Sequence, residues 1–346
     1  MTSRAPAAQH TSMFREAAEA ADAVARQERG EADLKRIGAM LCARSPSVVI
    51  TCARGSSDHA ATFAKYAIET RIGVPVASAA PSVASVYASR LHAKDAVCLA
   101  ISQSGRSPDL LATVSSLKEA GACVIALVND VDSPLAAMAD ELVGLAAGVE
   151  RSVAATKSFI AALAAIARLV GEWSDDDVLR ESLHHLPLDL REAWDLDWSE
   201  LAAGLEDARD LYVLGRGVGF GVAQEAALKL KETSQLHAEA FSTAELRHGP
   251  MALVRDGFPV LMFSQSDETG AGIEETALAL VERGARLFVA GAAARGATAL
   301  PSIACPPLLQ PIVQIQSFYR AANALAVARG LDPDRPPHLA KVTETR

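Results

Sequence analysis

Glu225, Lys229 and Glu232 stand at i, i+4 and i+7 in a stretch of helical spacing, so they share one helix face. Two carboxylates flanking an ammonium can do acid–base chemistry; the plainer reading is a solvated, salt-bridged stripe. Two features favour chemistry. The helix opens at the carboxyl end of a buried strand, and the next residues supply His237, Glu239, Glu245 and His248. His248 precedes Gly249-Pro250, and a histidine fixed before a turn suits proton transfer near neutral pH, although a lone histidine is usually structural. Lys341 lies on a tail stiffened by Pro333, Pro336 and Pro337, where a lysine is ordinarily just exposed. His184 and His185 fall in a polar connection and carry no assigned role. No His, Asp and Glu set has metal-site spacing, so neither metal nor cofactor is expected.

A second group suits anion binding. Ser102-Gln103-Ser104-Gly105-Arg106-Ser107-Pro108-Asp109 lies between a buried strand and a helix start. Backbone N–H groups are unpaired there and the helix dipole favours an anion. Hydroxyls and an amide add donors, and Gly105 permits a tight turn. A sugar phosphate fits this cradle; plain helix capping by Ser107 is the alternative. Gly55-Ser56-Ser57-Asp58 ends the first strand, and in open parallel sheets ligands bind at the carboxyl ends of strands. Gly215-Arg216-Gly217-Val218-Gly219-Phe220-Gly221 resembles a dinucleotide fingerprint superficially. Phe220 takes the third glycine position and no acidic residue follows as expected, so a tight turn is predicted.

The elements that must position these groups come in two copies. Ser-Gln-Ser occurs at 102–104 and again at 264–266, each time after an apolar run. Ala53-Arg54-Gly55 is echoed by Gly215-Arg216-Gly217 at the same offset of 162, and Glu119-Ala120-Gly121 by Glu282-Arg283-Gly284 at 163. The chain therefore reads as a duplicated α/β unit. Copy two has Asp267 and Glu268 where copy one has Gly105 and Arg106, and two carboxylates repel phosphate, so copy one should be the phosphate binder. Strands are predicted at 47–52, 73–77, 95–101 and 122–128, alternating with helices, which implies a parallel sheet covered on both faces. Residues 13–42 read as an Ala-rich helical lead-in and Phe159–Val170 as a buried helix. The expected organisation is a lead-in at 1–30, copy one at 31–173, a charged connection with Pro187 at 174–200, copy two at 201–330 and a non-helical tail at 331–346.

Half of the 346 residues are hydrophobic, enough for a large core, and the net charge of -9 argues against nucleic acid as a partner. Five cysteines show no CxxC spacing, and Cys52, Cys98 and Cys123 sit in apolar runs, as reduced thiols of a cytoplasmic protein would. Met1–Thr11 lacks the apolar segment of a signal peptide, and the longest apolar segment is too short and too charged to span a membrane.

Taken together these motifs resemble one family. Ser102-Gln103-Ser104-Gly105, Val153-Ala154-Ala155-Thr156-Lys157, Ala227–Glu232, His237-Ala238-Glu239-Ala240, Glu245–Pro250 and Leu339-Ala340-Lys341 follow in the order of the tandem SIS (sugar isomerase) domains of isomerising glucosamine-6-phosphate synthase. The resemblance covers the chain from about residue 13. It implies two doubly wound, parallel five-stranded sheets flanked by helices and a homodimer without metal or cofactor. By resemblance Ser57, Ser102, Gln103, Ser104 and Ser107 hold the phosphate, and Gly55, Ser56, Val153, Ala155 and Glu225 contact the sugar. Glu232 moves a proton between C1 and C2, and Lys229 lies near O1. His248, from the neighbouring subunit, opens the ring, and Lys341 faces the open-chain carbonyl. Three departures point to the stand-alone SIS-type glucosamine-6-phosphate deaminases. No N-terminal Cys nucleophile of a glutaminase half is present, Ala155 replaces a usual serine, and the ending is Lys341-Val342-Thr343-Glu344-Thr345-Arg346. The expected activity converts glucosamine 6-phosphate to fructose 6-phosphate and ammonia. A fructosamine-6-phosphate deglycase, an ammonia-dependent synthase and a non-catalytic sugar-phosphate sensor are the alternatives.

Overall fold

The computed structural model describes residues 8–341; the expectations at 1–7 and for the ending at 342–346 lie outside the described residues. The short β-branched runs become parallel strands. In copy one these are β1 (Val48–Cys52), β2 (Val76–Ser78), β3 (Ala96–Ser102), β4 (Cys123–Val128) and β5 (Glu141–Gly144), in the order β2-β1-β3-β4-β5. In copy two they are β6 (Asp210–Gly215), β7 (His237–Ser242), β8 (Pro259–Phe263), β9 (Arg286–Ala290) and β10 (Thr298–Leu300), in the order β10-β9-β8-β6-β7. Counted within each copy, both sheets run second, first, third, fourth, fifth, and every pairing is parallel. The repeated words thus mark a repeated topology.

The central strands β3 and β8 are buried at every residue because helices cover both faces. Cys98, Ala100, Val124 and Ala126 meet Leu110, Val114 and Leu117 of the helix Pro108–Glu119 on one face. Their neighbours Val97, Leu99, Ile101 and Ile125 are buried as well. Burial pushes the Cys52 thiol up to about 12, with the Asp109 carboxylate adding to the effect, and burial also raises Cys98, so both remain thiols.

Contacts divide the chain into two units, and not linearly. One holds Asp22–Glu150 and Lys157–His185 with residues 340–341; the other holds residues 8–21, Arg151–Thr156 and Leu186–Leu339. The lead-in is helical, divided into Ser12–Ala18, Ala20–Arg26, a 3-10 turn at Gln27–Gly30 and Glu31–Arg44. One local expectation is corrected. The second strand starts at Val76 rather than Gly73. Gly73 (φ 80°) instead closes the helix Ser56–Arg71, its N–H donating to Ile68 O at 3.2 Å. The charged segment between the copies is a helix, Asp177–Asp195, that runs through Pro187. Its stripe of Leu179, Leu183, Leu186 and Leu190 is buried, which outweighs the one lost N–H.

Candidate functional site

In copy one the strand order reverses between β1 and β3, and the carboxyl ends of such strands flank a ligand crevice. Two helices start there, Ser56–Arg71 after β1 and Pro108–Glu119 after β3. The loop between β3 and its helix is built, not slack. The Gly105 N–H donates to Ser102 Oγ at 2.9 Å, and Leu135 N donates to Gly105 O at 3.2 Å. Gly105 has φ 62°, and a Cβ there would overlap Ser133, so only glycine fits. Both nearby arginines are engaged by carboxylates. Arg54 pairs with the buried Asp109 at 2.7 Å, and Arg106 with Asp130 at 2.7 Å. The half-exposed groups at the loop are Ser56, Ser57, Gln103, Ser104 and Ser107. Ser107 stands at the helix N-cap yet makes no side-chain cap hydrogen bond, so its hydroxyl is not spent as the capping alternative requires.

Copy two has spent the same donors on itself. Asp267 accepts from Thr269 N at 2.9 Å and from Gln265 Nε2 at 3.2 Å, and Thr269 Oγ1 bonds the same carboxylate. A built-in carboxylate stands where an anion would enter. The glycines at 215–221 serve packing: a Cβ on Gly215 would come within 2.5 Å of Gly219 O.

The predicted helix face is real, but it is not a solvated stripe. On the helix Gly219–Ser234, Lys229 and Glu225 keep 1 % and 0 % of their side-chain exposure, and Glu232 keeps 19 %. Lys229 Nζ is hydrogen-bonded to Glu232 Oε2 and lies 3.5 Å from Glu225 Oε1. Tyr319, wholly buried on the helix Gln310–Ala328, donates its hydroxyl to Glu225 Oε1 at 3.1 Å. Glu225, expected among the sugar contacts, is thus engaged from two sides and serves to hold Lys229. The four groups form a line from phenol to carboxylate to ammonium to carboxylate, and only the last keeps access to solvent.

His248 is exposed at the end of the 3-10 turn Glu245–His248, and it lines an open cavity with Arg216, Thr243 and Thr269. His237 and Glu239 are exposed on the edge strand β7. Val153 and Ala155 are half-exposed in an irregular segment where Ser152, Ala154 and Thr156 are buried. Lys341 Nζ donates to Glu150 Oε2 at 3.3 Å. Glu150 is buried, and Ser158 donates to it from both N and Oγ, at 3.2 and 2.6 Å. The motif reading missed Glu150 and Tyr319. Glu150 had one signal, a lone carboxylate closing the apolar run that starts at Leu142; Tyr319 had none.

Comparison with known proteins places these features in context. The family described as SIS domain matches residues 44–170 and 204–290. The glutamine–fructose-6-phosphate aminotransferase (isomerising) of Corynebacterium efficiens is 35% identical over 321 residues, covering 86% of this chain and 51% of that protein. The chain spans about half the length of the curated relatives it matches. A crystal structure from Silicibacter pomeroyi DSS-3, provisionally described as a phosphosugar isomerase, superposes with a TM-score of 0.90 at 44% identity, covering 94% of this chain and all of that one. Glucosamine-6-phosphate deaminase from Thermotoga maritima shares the fold, with a TM-score of 0.73 at 23% identity over 94% of this chain and 100% of its own. No helix among the described residues is long and apolar enough to cross a membrane.

Proposed function

The chain belongs to the SIS domain family, the phosphosugar isomerases, and from that premise we infer that it is a glucosamine-6-phosphate deaminase. The observation that carries this reading is the placement of Glu232. It alone on its helix face stays accessible, while the buried Lys229 and Glu225 fix it from behind. A carboxylate so held can take a proton from a bound sugar and return it to the neighbouring carbon.

The roles are those that the family resemblance implies. Ser57, Ser102, Gln103, Ser104 and Ser107 hold the phosphate, and Gly55, Ser56, Val153 and Ala155 contact the sugar. His248, contributed by the second chain of a homodimer, protonates the ring oxygen and frees the aldehyde. Glu232 takes the C2 proton and delivers it to C1, a second proton passes from the C2 amine to O1, and Lys229, hydrogen-bonded to Glu232, holds that carboxylate in place. This moves the double bond and leaves an imine at C2. Water adds to that imine and expels ammonia, giving fructose 6-phosphate. Lys341, oriented by Glu150, is the amine that faces the open-chain carbonyl. The free cysteines suit a cytoplasmic amino-sugar enzyme.

The decisive experiment incubates the chain with glucosamine 6-phosphate without glutamine and follows ammonia and fructose 6-phosphate. Equal release of both supports the reading. Turnover only with amine-substituted fructose 6-phosphates would replace it with a deglycase, and tight binding without turnover with a sensor. The phosphate loop has its own test. Ser107→Ala is expected to weaken inorganic phosphate about tenfold, as loss of one hydrogen bond to a charged group does. It should leave the melting temperature unchanged, because the hydroxyl caps nothing. A lower melting temperature with unchanged phosphate affinity would return Ser107 to a capping role.

A further inference from the structure

The segment Arg151–Thr156 has no helix or strand to satisfy its backbone, yet it carries Val153 and Ala155. Its first two N–H groups have a dedicated partner. Arg151 N donates to Glu16 Oε1 at 2.6 Å, and Ser152 N donates to Glu16 Oε2 at 3.0 Å. One carboxylate thus takes two successive backbone donors, a charge-assisted two-point anchor 135 positions away in sequence. Glu16 is itself 8 % exposed, so water competes little for it.

The base of this anchor is equally fixed. Glu16 sits on the helix Ser12–Ala18. Ser12 N and Met13 N donate to the two oxygens of Asp334 at 2.6 and 2.7 Å. Gln316 Nε2 donates to Ala17 O at 3.0 Å, and Thr11 Oγ1 donates to Asn323 Oδ1 at 2.6 Å. The short helix is therefore tied to the tail and to the helix Gln310–Ala328, and from there it reaches the segment. Beyond the two bonds the segment alternates: Ser152, Ala154 and Thr156 turn inward and Val153 and Ala155 outward. Fixing its first two amides fixes which residues face out.

We propose that Glu16 is a positioning residue for the sugar. It touches no substrate, and it sets the placement of Val153 and Ala155 by holding the backbone of Arg151 and Ser152. The proposal rests on the amino-sugar phosphate reading above. It gives the N-terminal helix a task in ligand binding, separate from the phosphate loop.

The test uses the full chain, calorimetry and two probes. One is the non-reacting open-chain 2-amino-2-deoxyglucitol 6-phosphate; the other is inorganic phosphate, which needs only Ser57 and the Ser102–Ser107 loop. Glu16→Gln keeps one acceptor and loses the other. It is expected to weaken the sugar probe about tenfold, in line with the cost of misplacing a contact by a fraction of an ångström, and to leave phosphate affinity unchanged. Should Glu16→Gln fail to fold, Glu16→Asp retains the charge but is too short to hold both amides, and it should show the same split. Equal weakening of both probes, or of neither, overturns the positioning role. If the wild-type chain neither turns over glucosamine 6-phosphate nor binds the sugar probe, the amino-sugar reading falls and this inference falls with it.

Discussion

Glu232→Gln is expected to lower kcat by about 10²–10⁴-fold, the range that a positioned acid–base group supplies. The substitution is close to isosteric, and its amide oxygen can still accept from Lys229. Glu225 remains beside that ammonium, so no buried charge is stranded. The fold should survive, and inorganic phosphate should bind as before. What the amide cannot do is hold the C2 proton. Two readouts separate this from a general loss of function. Ammonia release should fall by that factor, and so should exchange of the C2 hydrogen of glucosamine 6-phosphate with deuterated water. Retained C2 exchange with lost ammonia release would move Glu232 out of the proton transfer and into a later step. Unchanged turnover would remove it from the mechanism.

The part of this site legible from sequence is the part governed by short-range periodicity. The i, i+4, i+7 spacing put Glu225, Lys229 and Glu232 on one face, and one face they occupy. The offset of 162 announced a repeat, and both sheets have the same order. The fate of each motif depended on contacts that no local window contains. Tyr319 reaches Glu225 across 94 positions, and Glu150 reaches Lys341 across 191. Tyr319 turns a candidate surface stripe into a buried line and Glu150 holds the tail lysine, and periodicity carries no record of either. The same holds for capping. A serine before Pro108 reads as an N-cap, and only the geometry shows that its hydroxyl goes unused there. One boundary differs for a local reason: Gly73 before a short apolar run suggests a strand start, while its positive φ ends a helix. Pro187 gives no local sign of a continuous helix, and only the tertiary burial of four leucines shows why the helix runs through it.

Lys229→Met should cost both stability and turnover, and a double substitution separates the two. Lys229 is 1 % exposed between two carboxylates, and Glu225 is wholly buried. Removing the ammonium takes from the buried Glu225 carboxylate the cation that stands 3.5 Å from it, and the Tyr319 hydroxyl remains among its neighbours. Breaking a buried pair from one side costs about 3–5 kcal/mol. In a chain of this size that lowers the melting temperature by on the order of 10 °C. Adding Glu225→Gln removes the stranded charge while keeping an acceptor for Tyr319. Most of the lost stability should therefore return, as expected when both members of a buried pair become neutral. Turnover should not return, because Glu232 would still lack the ammonium that orients it. Thermal melts and ammonia release on the two single variants and the double variant complete the cycle. Recovery of activity along with stability would make Lys229 a structural cation only. A Lys229→Met protein as stable as wild type would show that the Glu225 charge is held chiefly by groups other than Lys229.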